Sequence, residues 1–360
     1  MSKKSEACQV CIQKSRYDTV DMNALLKPLG GVSSFVKKGD TVLLKVNLLN
    51  ASIPEKAVCT HPEIVKAVAE EVLSVGGVPF IADSPGGPFT KRKLEKIYQK
   101  SGMATVASEL GIKLNYDTSS KKVDISNGKR LKKTSLCNFY LTADKTISLP
   151  KLKTHSLMLL TLAMKNMYGV VPGLLKAKYH STHMKTEYFA AMLVDLFSVT
   201  RTDLVVLDGI VGMQGDGPGN GEPVELGVVF ASDNAVGLDI SVCNMLGVEP
   251  VSVPVLKQAK IQKMWPDEIL YPLLRPLDVC FSGFELPDTA RFLFNNKKDA
   301  KLYPFVNERC IGCGECKQIC PRDAITILDG VAIIQYDKCI QCYCCHEMCR
   351  DKTYVPSITS

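Results

Sequence analysis

Long apolar runs are missing from this 360-residue chain: nowhere does it offer the ~18 consecutive apolar residues of a membrane-spanning helix. The opening MSKKSEACQV has lysines with no apolar stretch behind them, so no secretory signal is expected and the cytoplasm is the expected location. Two nucleotide-binding fingerprints are also missing. No G-x-G-x-x-G follows the first strand, and no Gly-Lys-Ser/Thr closes a glycine-rich loop. Aromatic residues make up 7% of the chain, with a single Trp, and they do not interleave with the basic runs, so no nucleic-acid partner is expected. Charge is unbalanced only modestly, at +7. From Pro304 onward acidic residues outnumber basic ones by one, so the positive excess lies on the rest of the chain. There it reads as solvated lysines or as a field for an acidic electron donor or an anionic substrate.

Cysteine, by contrast, is plentiful, with fifteen residues. Eight fall in two runs of one pattern, C-x2-C-x2-C-x3-C: Cys310, Cys313, Cys316 and Cys320, then Cys339, Cys342, Cys345 and Cys349. This is the ligand spacing of a bacterial ferredoxin with two [4Fe-4S] clusters. Three cysteines on a tight loop wrap three corners of a cubane, and the fourth is carried off by the next helix to the other cluster. Cys310, Cys313, Cys316 and Cys349 are therefore expected to share one cluster, and Cys339, Cys342, Cys345 and Cys320 the other. Zinc sites use C-x-x-C pairs set farther apart, and disulfides suit a secreted chain. Asp329-Gly330 between two short apolar segments signals a hairpin. Cys344 reads as a free thiol beside a cluster or as a substitute ligand. The remaining cysteines read as buried reduced thiols of an anaerobic cell, with a redox or metal role as the alternative to packing for the lone Cys8-x-x-Cys11 pair.

Residues 1–290 alternate β-branched runs with amphipathic stretches, which argues an α/β domain with a mostly parallel sheet. Residues 291–303 are polar and read as a linker, and residues 304–360 as a small α+β ferredoxin-like domain. Strands are expected at Thr41–Leu48, Val78–Asp83, Lys145–Leu149, Leu204–Asp208 and Gly227–Ala231. Helices are expected at His61–Val75, Glu187–Val199 and Ala235–Leu246, with a broken pair over Lys91–Gly111. Thr60 and Glu63 read as a capping box for the first helix.

In such a sheet the site lies beyond the carboxyl ends of the strands. Lys45 and Asn47 alternate in an apolar strand, so Lys45 faces a site, with Asp83 as its partner, or marks a sheet edge. Lys151, Lys153 and His155 alternate as they leave another strand and project to one side. Lys153, His155, Lys165 and Asn166 form a possible anion site in which His155 moves a proton; otherwise the lysines snorkel and the histidine caps a helix. Asp208 to Gly221 holds six glycines, the pattern of a loop folded against a ligand or of a long surface loop, with Asp208, Gly209 and Gly215 as candidate contacts. Lys176 to His183 reads as a flexible basic loop, or as a weak metal pair of His180 and His183. Trp265 reads as surface packing.

The segments LLKVNLL, THPEIVKAV, DSPGG, LPKLKTHSL, MKNMYGVVPG and DGIVGMQGDGP together resemble domain of unknown function family 362, over about residues 40–250. Members often carry a C-terminal two-cluster ferredoxin module and are described as iron–sulfur centre proteins. The resemblance implies that Lys45, Asn47, Asp83, Lys153, His155, Lys165, Asn166, Asp208 and Gly209 share a pocket. It implies no substrate.

The resulting expectation is a redox enzyme or reductive activator. Electrons from a ferredoxin-like donor would reach an anionic substrate, or a corrinoid or flavin centre, held by the lysines. The alternatives are an electron-transfer subunit whose large domain docks a partner enzyme, and a non-redox enzyme with structural clusters.

Overall fold

The computed structural model describes residues 7–288, 302–349 and 354–358. The expected linker lies outside the described residues as far as residue 301, and Leu302 and Tyr303 already belong to the first strand of the C-terminal module.

A nine-stranded sheet organises residues 7–288. Its strands are β1 (Cys11–Lys14), β2 (Thr41–Val46), β3 (Val78–Ala82), β4 (Lys113–Leu114), β5 (Lys145–Leu149), β6 (Lys151–His155), β7 (Leu159–Thr161), β8 (Leu204–Gln214) and β9 (Glu222–Ser232). The main path runs β7-β6-β8-β5-β2-β3-β4; off it, β9 pairs with β8 and β1 with β9. Pairing is parallel from β4 through β6 and antiparallel at β7, β9 and β1.

Strand alternation splits the core between the two faces of the sheet. Val42, Leu44 and Val46 of β2 join one cluster with Ile64, Val65, Val68 and Val72 of α1 (Pro62–Ser74). Leu43 joins the other, with Phe189 and Met192 of α6 (Thr186–Phe197) and Leu238 and Val242 of α7 (Ala235–Met245). α2 (Lys91–Lys100) and α3 (Met103–Leu110) meet at Gly102, whose φ of 80° breaks the helix as expected.

Two local readings are corrected. His61, not Thr60, caps α1, its Nδ1 accepting from the Glu63 amide at 3.3 Å. Thr60 instead donates to the Leu149 carbonyl at 2.6 Å and accepts from the Asn47 amide at 2.8 Å, tying β2 to β5. The first half of the glycine-rich segment is strand: β8 continues to Gln214 and β9 begins at Glu222, so only residues 215–221 form the turn. The two strands bury enough side chains on either side of Gly209 and Gly212 to hold the ladder despite the glycines.

The module pairs β10 (Leu302–Val306) with β13 (Tyr354–Ile358) and β11 (Ile325–Leu328) with β12 (Val331–Ile334). Asp329 and Gly330 turn the second hairpin with φ of 49° and 76°, the positive pair that a two-residue hairpin turn needs. In the large domain α8 (Pro254–Ile261) packs against α6, and in the module a short helix closes each cysteine run, α9 (Glu315–Ile319) before Cys320 and α10 (Cys344–Met348) before Cys349. Along with these, the large domain carries α4 (Ala163–Asn166) and α5 (Gly173–Thr182), both near the carboxyl end of the sheet.

Candidate functional site

Strand order reverses between β2 and β5, since the chain moves outward to β3 on one side and to β8 on the other. Asn166 of α4 bridges this point. Its Nδ2 donates to the Lys45 carbonyl at 3.2 Å and to Ser148 Oγ at 2.9 Å, and its Oδ1 accepts from Lys45 Nζ and Asn47 Nδ2. Lys45 is fully buried and pairs with Asp83 at 2.8 Å. Burial pulls its ammonium below the usual range, and Asp83 pulls it back. Asp83 also accepts from the amides of Leu48 at 2.7 Å and Ser84 at 2.8 Å. Gly169 lies directly over the pair, where a methyl group would overlap the Asp83 carboxylate and the Lys45 ammonium. Asp239 of α7 accepts from the Ala163 and Met164 amides at 2.8 and 3.1 Å, which fixes the start of α4 and so the positions of Lys165 and Asn166.

Above this layer lies a cavity of about 710 Å³. Asn47, Asp83, Lys153, Lys165 and Asn166 line it, together with Ser84, Thr161, Tyr168, Lys176 and His180. Lys153 Nζ donates to the Val58 carbonyl at 2.6 Å, and burial brings its pKa down to about 7. Lys165 makes no hydrogen bond or ion pair among the described residues, and burial lowers it to about 8. Lys176 is held by the Ser84 and Val171 carbonyls and is likewise lowered to about 8. Among the described residues four polar atoms on the wall lack hydrogen-bond partners: Asn47 Oδ1, Thr161 Oγ1, His180 Nδ1 and Glu347 Oε1. Such buried groups are costly unless something pairs with them.

The fourth wall comes from the cysteine module. Ile319, Cys344, Glu347 and Met348 line the cavity. Met348 packs where a side chain on Gly86 would lie, and the Glu347 carbonyl where one on Gly219 would lie. Asn220 donates to the His346 carbonyl at 2.6 Å, and Ser156 Oγ lies 3.2 Å from His346 Nδ1. The turn at residues 215–221 therefore seats the module, with Pro218 at the cavity edge.

His155 sits behind this wall rather than on it. Its Nδ1 accepts from the Leu157 and Met158 amides at 3.1 and 3.3 Å, which leaves the proton on Nε2, 3.2 Å from Glu347 Oε1. Burial and the neighbouring lysines hold its pKa well below the usual value, so the ring is neutral. Among the described residues neither atom of that contact completes a hydrogen bond, so His155 packs against Glu347 rather than gripping it, and proton shuttling would need a free Nδ1. Glu347 itself is pushed up to about 7 by burial, against the pull of Lys165 and Lys153.

Asp208, Gly209 and Gly215 do not reach the cavity. Asp208 pairs with Lys151 at 2.8 Å, both fully buried, and accepts from Tyr17 at 3.0 Å and the His61 amide at 2.9 Å. The Tyr17 and His61 rings stack over this pair at 3.5 Å. Gly209 is inside β8, and Gly215 donates to the Glu285 carbonyl. The Gly217 amide is taken by Thr154 Oγ1 at 3.2 Å, so it is not turned toward an anion. The segment from Lys176 is helical, and His183 turns back to Tyr179 and Thr182, away from His180. Cys8 and Cys11 are buried thiols pushed up to about 11, which fits packing, and Trp265 donates to the Leu256 carbonyl.

The eight cysteines surround two cavities in the crossed pattern. Cys310, Cys313, Cys316 and Cys349 line one of about 330 Å³, and Cys320, Cys339, Cys342 and Cys345 one of about 360 Å³. Backbone amides point at the sulfurs, Ala332 at Cys310 and Ala324 at Cys320, each at 3.3 Å. Among the described residues no three ligand-type side chains converge on a single ion. Four thiols spread around a cavity suit a polynuclear cluster instead, so the donor set fits.

A largely parallel sheet with a cavity at its carboxyl edge, walled by a ferredoxin-type cysteine module, defines an iron–sulfur protein built for electron transfer. The chain belongs to the domain of unknown function family 362 (DUF362), whose model matches residues 42–244, and a 4Fe-4S binding domain matches residues 303–326, so at least one [4Fe-4S] cluster belongs to the module. The chain is 35% identical over 276 residues to a protein of Synechocystis named as thylakoid-associated, covering 74% of this chain and 82% of that one. The module is 39% identical over 41 residues to Ferredoxin-1 of Rhodobacter capsulatus, 11% of this chain and 63% of the ferredoxin. Among solved structures, the lactate racemase apoprotein of Thermoanaerobacterium thermosaccharolyticum matches with a TM-score of 0.42 and 15% identity, over 64% of this chain and 55% of that one, a likeness too slight to fix the fold. Among the described residues no helix is long and apolar enough to cross a membrane.

Proposed function

We propose that both four-cysteine cavities hold [4Fe-4S] clusters and that the protein is a reductase or reductive activator acting on an anionic molecule in the α/β cavity. Clusters of this kind, when bound, supply single electrons at low potential. One observation carries the reading: Cys344 lines both the anion-type cavity and the cavity of Cys320, Cys339, Cys342 and Cys345. A single side-chain layer separates the two, which a freely diffusing ferredoxin would not maintain. The second cluster draws support from the backbone as well. Gly312 and Gly314 take φ of 61° and 76° in the first run, and Gln341 and Tyr343, their counterparts, take 57° and 58° in the second. Residues with side chains accept that conformation at a cost, which makes sense where the loop must wrap the same object.

The chain's own residues divide the work. Lys153, Lys165 and Lys176 offer positive charge to an anionic group. Asn47, Thr161 and His180 offer polar atoms that have no hydrogen-bond partner among the described residues. Asp83, Lys45 and Asn166 hold the floor, and His155 packs behind Glu347. The module excludes water on the remaining side.

The test is native mass spectrometry of protein purified without oxygen, followed by the same measurement on Lys165→Met. The expected result is a mass equal to the chain, both clusters and a small anionic molecule that the variant releases. A mass with the clusters alone, together with equal affinity of wild type and variant for every anion tried, would sink the reading.

A further inference from the structure

The cavity of about 1080 Å³ on the outer side of the first cysteine run has no part in the reading above. The large domain supplies one bank with Thr90, Arg92, Lys93 and Lys96, and the module supplies the other with Cys313, Glu315 and Gln318, so three basic side chains face one acidic one across the groove. α2 buries Leu94, Ile97 and Tyr98 and turns Lys91, Arg92, Lys96 and Lys100 outward, with Glu95 the acidic exception. Alone, a basic helix face would be ordinary solvated surface. Here it borders Cys313, the exposed member of the first cysteine set. Beyond Cys313, Ile311 is 70% exposed, and Leu328 and Val331 at the tip of the β11–β12 hairpin are exposed too.

We propose that this groove docks a small, acidic, single-electron carrier protein, which delivers electrons at the Cys313 edge. An apolar patch beside the redox ligand with a charged rim is the form of a transient interface, and the rim's charge fixes the partner's sign. The transfer balances simply: the reduced carrier loses one electron, a [4Fe-4S] site gains it on passing from the 2+ to the 1+ state, and no bond forms or breaks. The proposal rests on cluster occupancy of the first cavity and not on the chemistry of the anion cavity.

The test uses holoprotein without substrate and a strongly acidic plant-type [2Fe-2S] ferredoxin as the probe. Binding of the oxidised carrier is measured by calorimetry, and reduction by the reduced carrier by stopped flow, each at low and at physiological salt. Reversing two charges, Arg92→Glu with Lys96→Glu, is expected to lower affinity and rate tenfold or more and to flatten the salt dependence. Lys121→Glu with Lys122→Glu, on an exposed strand elsewhere, should change both less than twofold. Reduction by dithionite should be the same in all three proteins, which separates docking from cluster loss. Equal rates for wild type and the Arg92/Lys96 variant would overturn the proposal. So would failure of the wild type to bind the carrier, or Arg92/Lys96-dependent binding only to vesicles of anionic phospholipid. Failure of the anion-cavity reading would leave every one of these outcomes unchanged.

Discussion

Lys153 and Lys165 present ammonium groups to a cavity in which burial opposes the charge, bringing them to about 7 and 8. A bound anion needs them charged, so affinity should fall as pH rises from 6.5 to 9. Lys165→Met should cost tenfold or more at pH 6.5 and flatten that profile, as calorimetry over the pH range would show. For Lys153 the linkage has a definite sign. Its folded pKa lies below the unfolded 10.5, so the unfolded chain binds the extra proton between about pH 7 and 10.5, and stability rises with pH across that window. Lys153→Met removes the penalty, so its melting temperature should exceed that of the ligand-free wild type by more at pH 6 than at pH 10. Gly169 faces a harder limit. Gly169→Ala forces a methyl into the Lys45–Asp83 pair and should destabilise by about 2 kcal/mol or more, read by thermal melting.

At the scale of elements, the crossed cysteine pairing is the sharpest expectation. α9 and α10 each leave one loop and deliver Cys320 or Cys349 to the other cavity. Cys349→Ser should therefore resemble Cys316→Ser in its paramagnetic resonance spectrum and lose up to half the iron, whereas Cys320→Ser should resemble Cys345→Ser. Pairing by run would make Cys349→Ser resemble Cys345→Ser instead. The strands and helices of the α/β domain were legible because periodicity reports burial: LLKVNLL reads as a strand with Lys45 out of pattern, and Lys45 does meet Asp83. The cap of α1 was misread because Thr60 had a stronger use across the sheet. Residues 208–214 were misread because six glycines signal a loop locally, while pairing with β9 on one edge and β6 on the other holds the segment extended. Lys176 and His180 sit four apart, a helical spacing that could have marked one face of α5.

Across the whole molecule, the module is both an electron-transfer unit and a wall of the cavity. Cys345 and Cys349 bracket Glu347 on the helix that forms this wall. Iron removal by a chelator under oxidising conditions should release α10, raise protease cleavage within residues 302–349, and weaken anion binding tenfold or more. Unchanged anion affinity in the iron-free protein would show that the wall stands without its clusters.

The sequence by itself determined the cysteine chemistry, the alternation of strands and helices, and the family, because ligand spacing and hydrophobic periodicity are local properties. It also picked out Lys45, Asn47, Asp83, Lys153, Lys165 and Asn166, since polar residues at the ends of buried strands and on a short apolar helix stand out from their neighbours. Only the tertiary structure decided which of these share a space. It sent Asp208 to Lys151 under Tyr17, locked His155 through its Nδ1, and brought Glu347 and Cys344 to the cavity from about 190 residues further along the chain than His155. No local pattern carries that information, because docking of the module depends on surfaces assembled from distant segments.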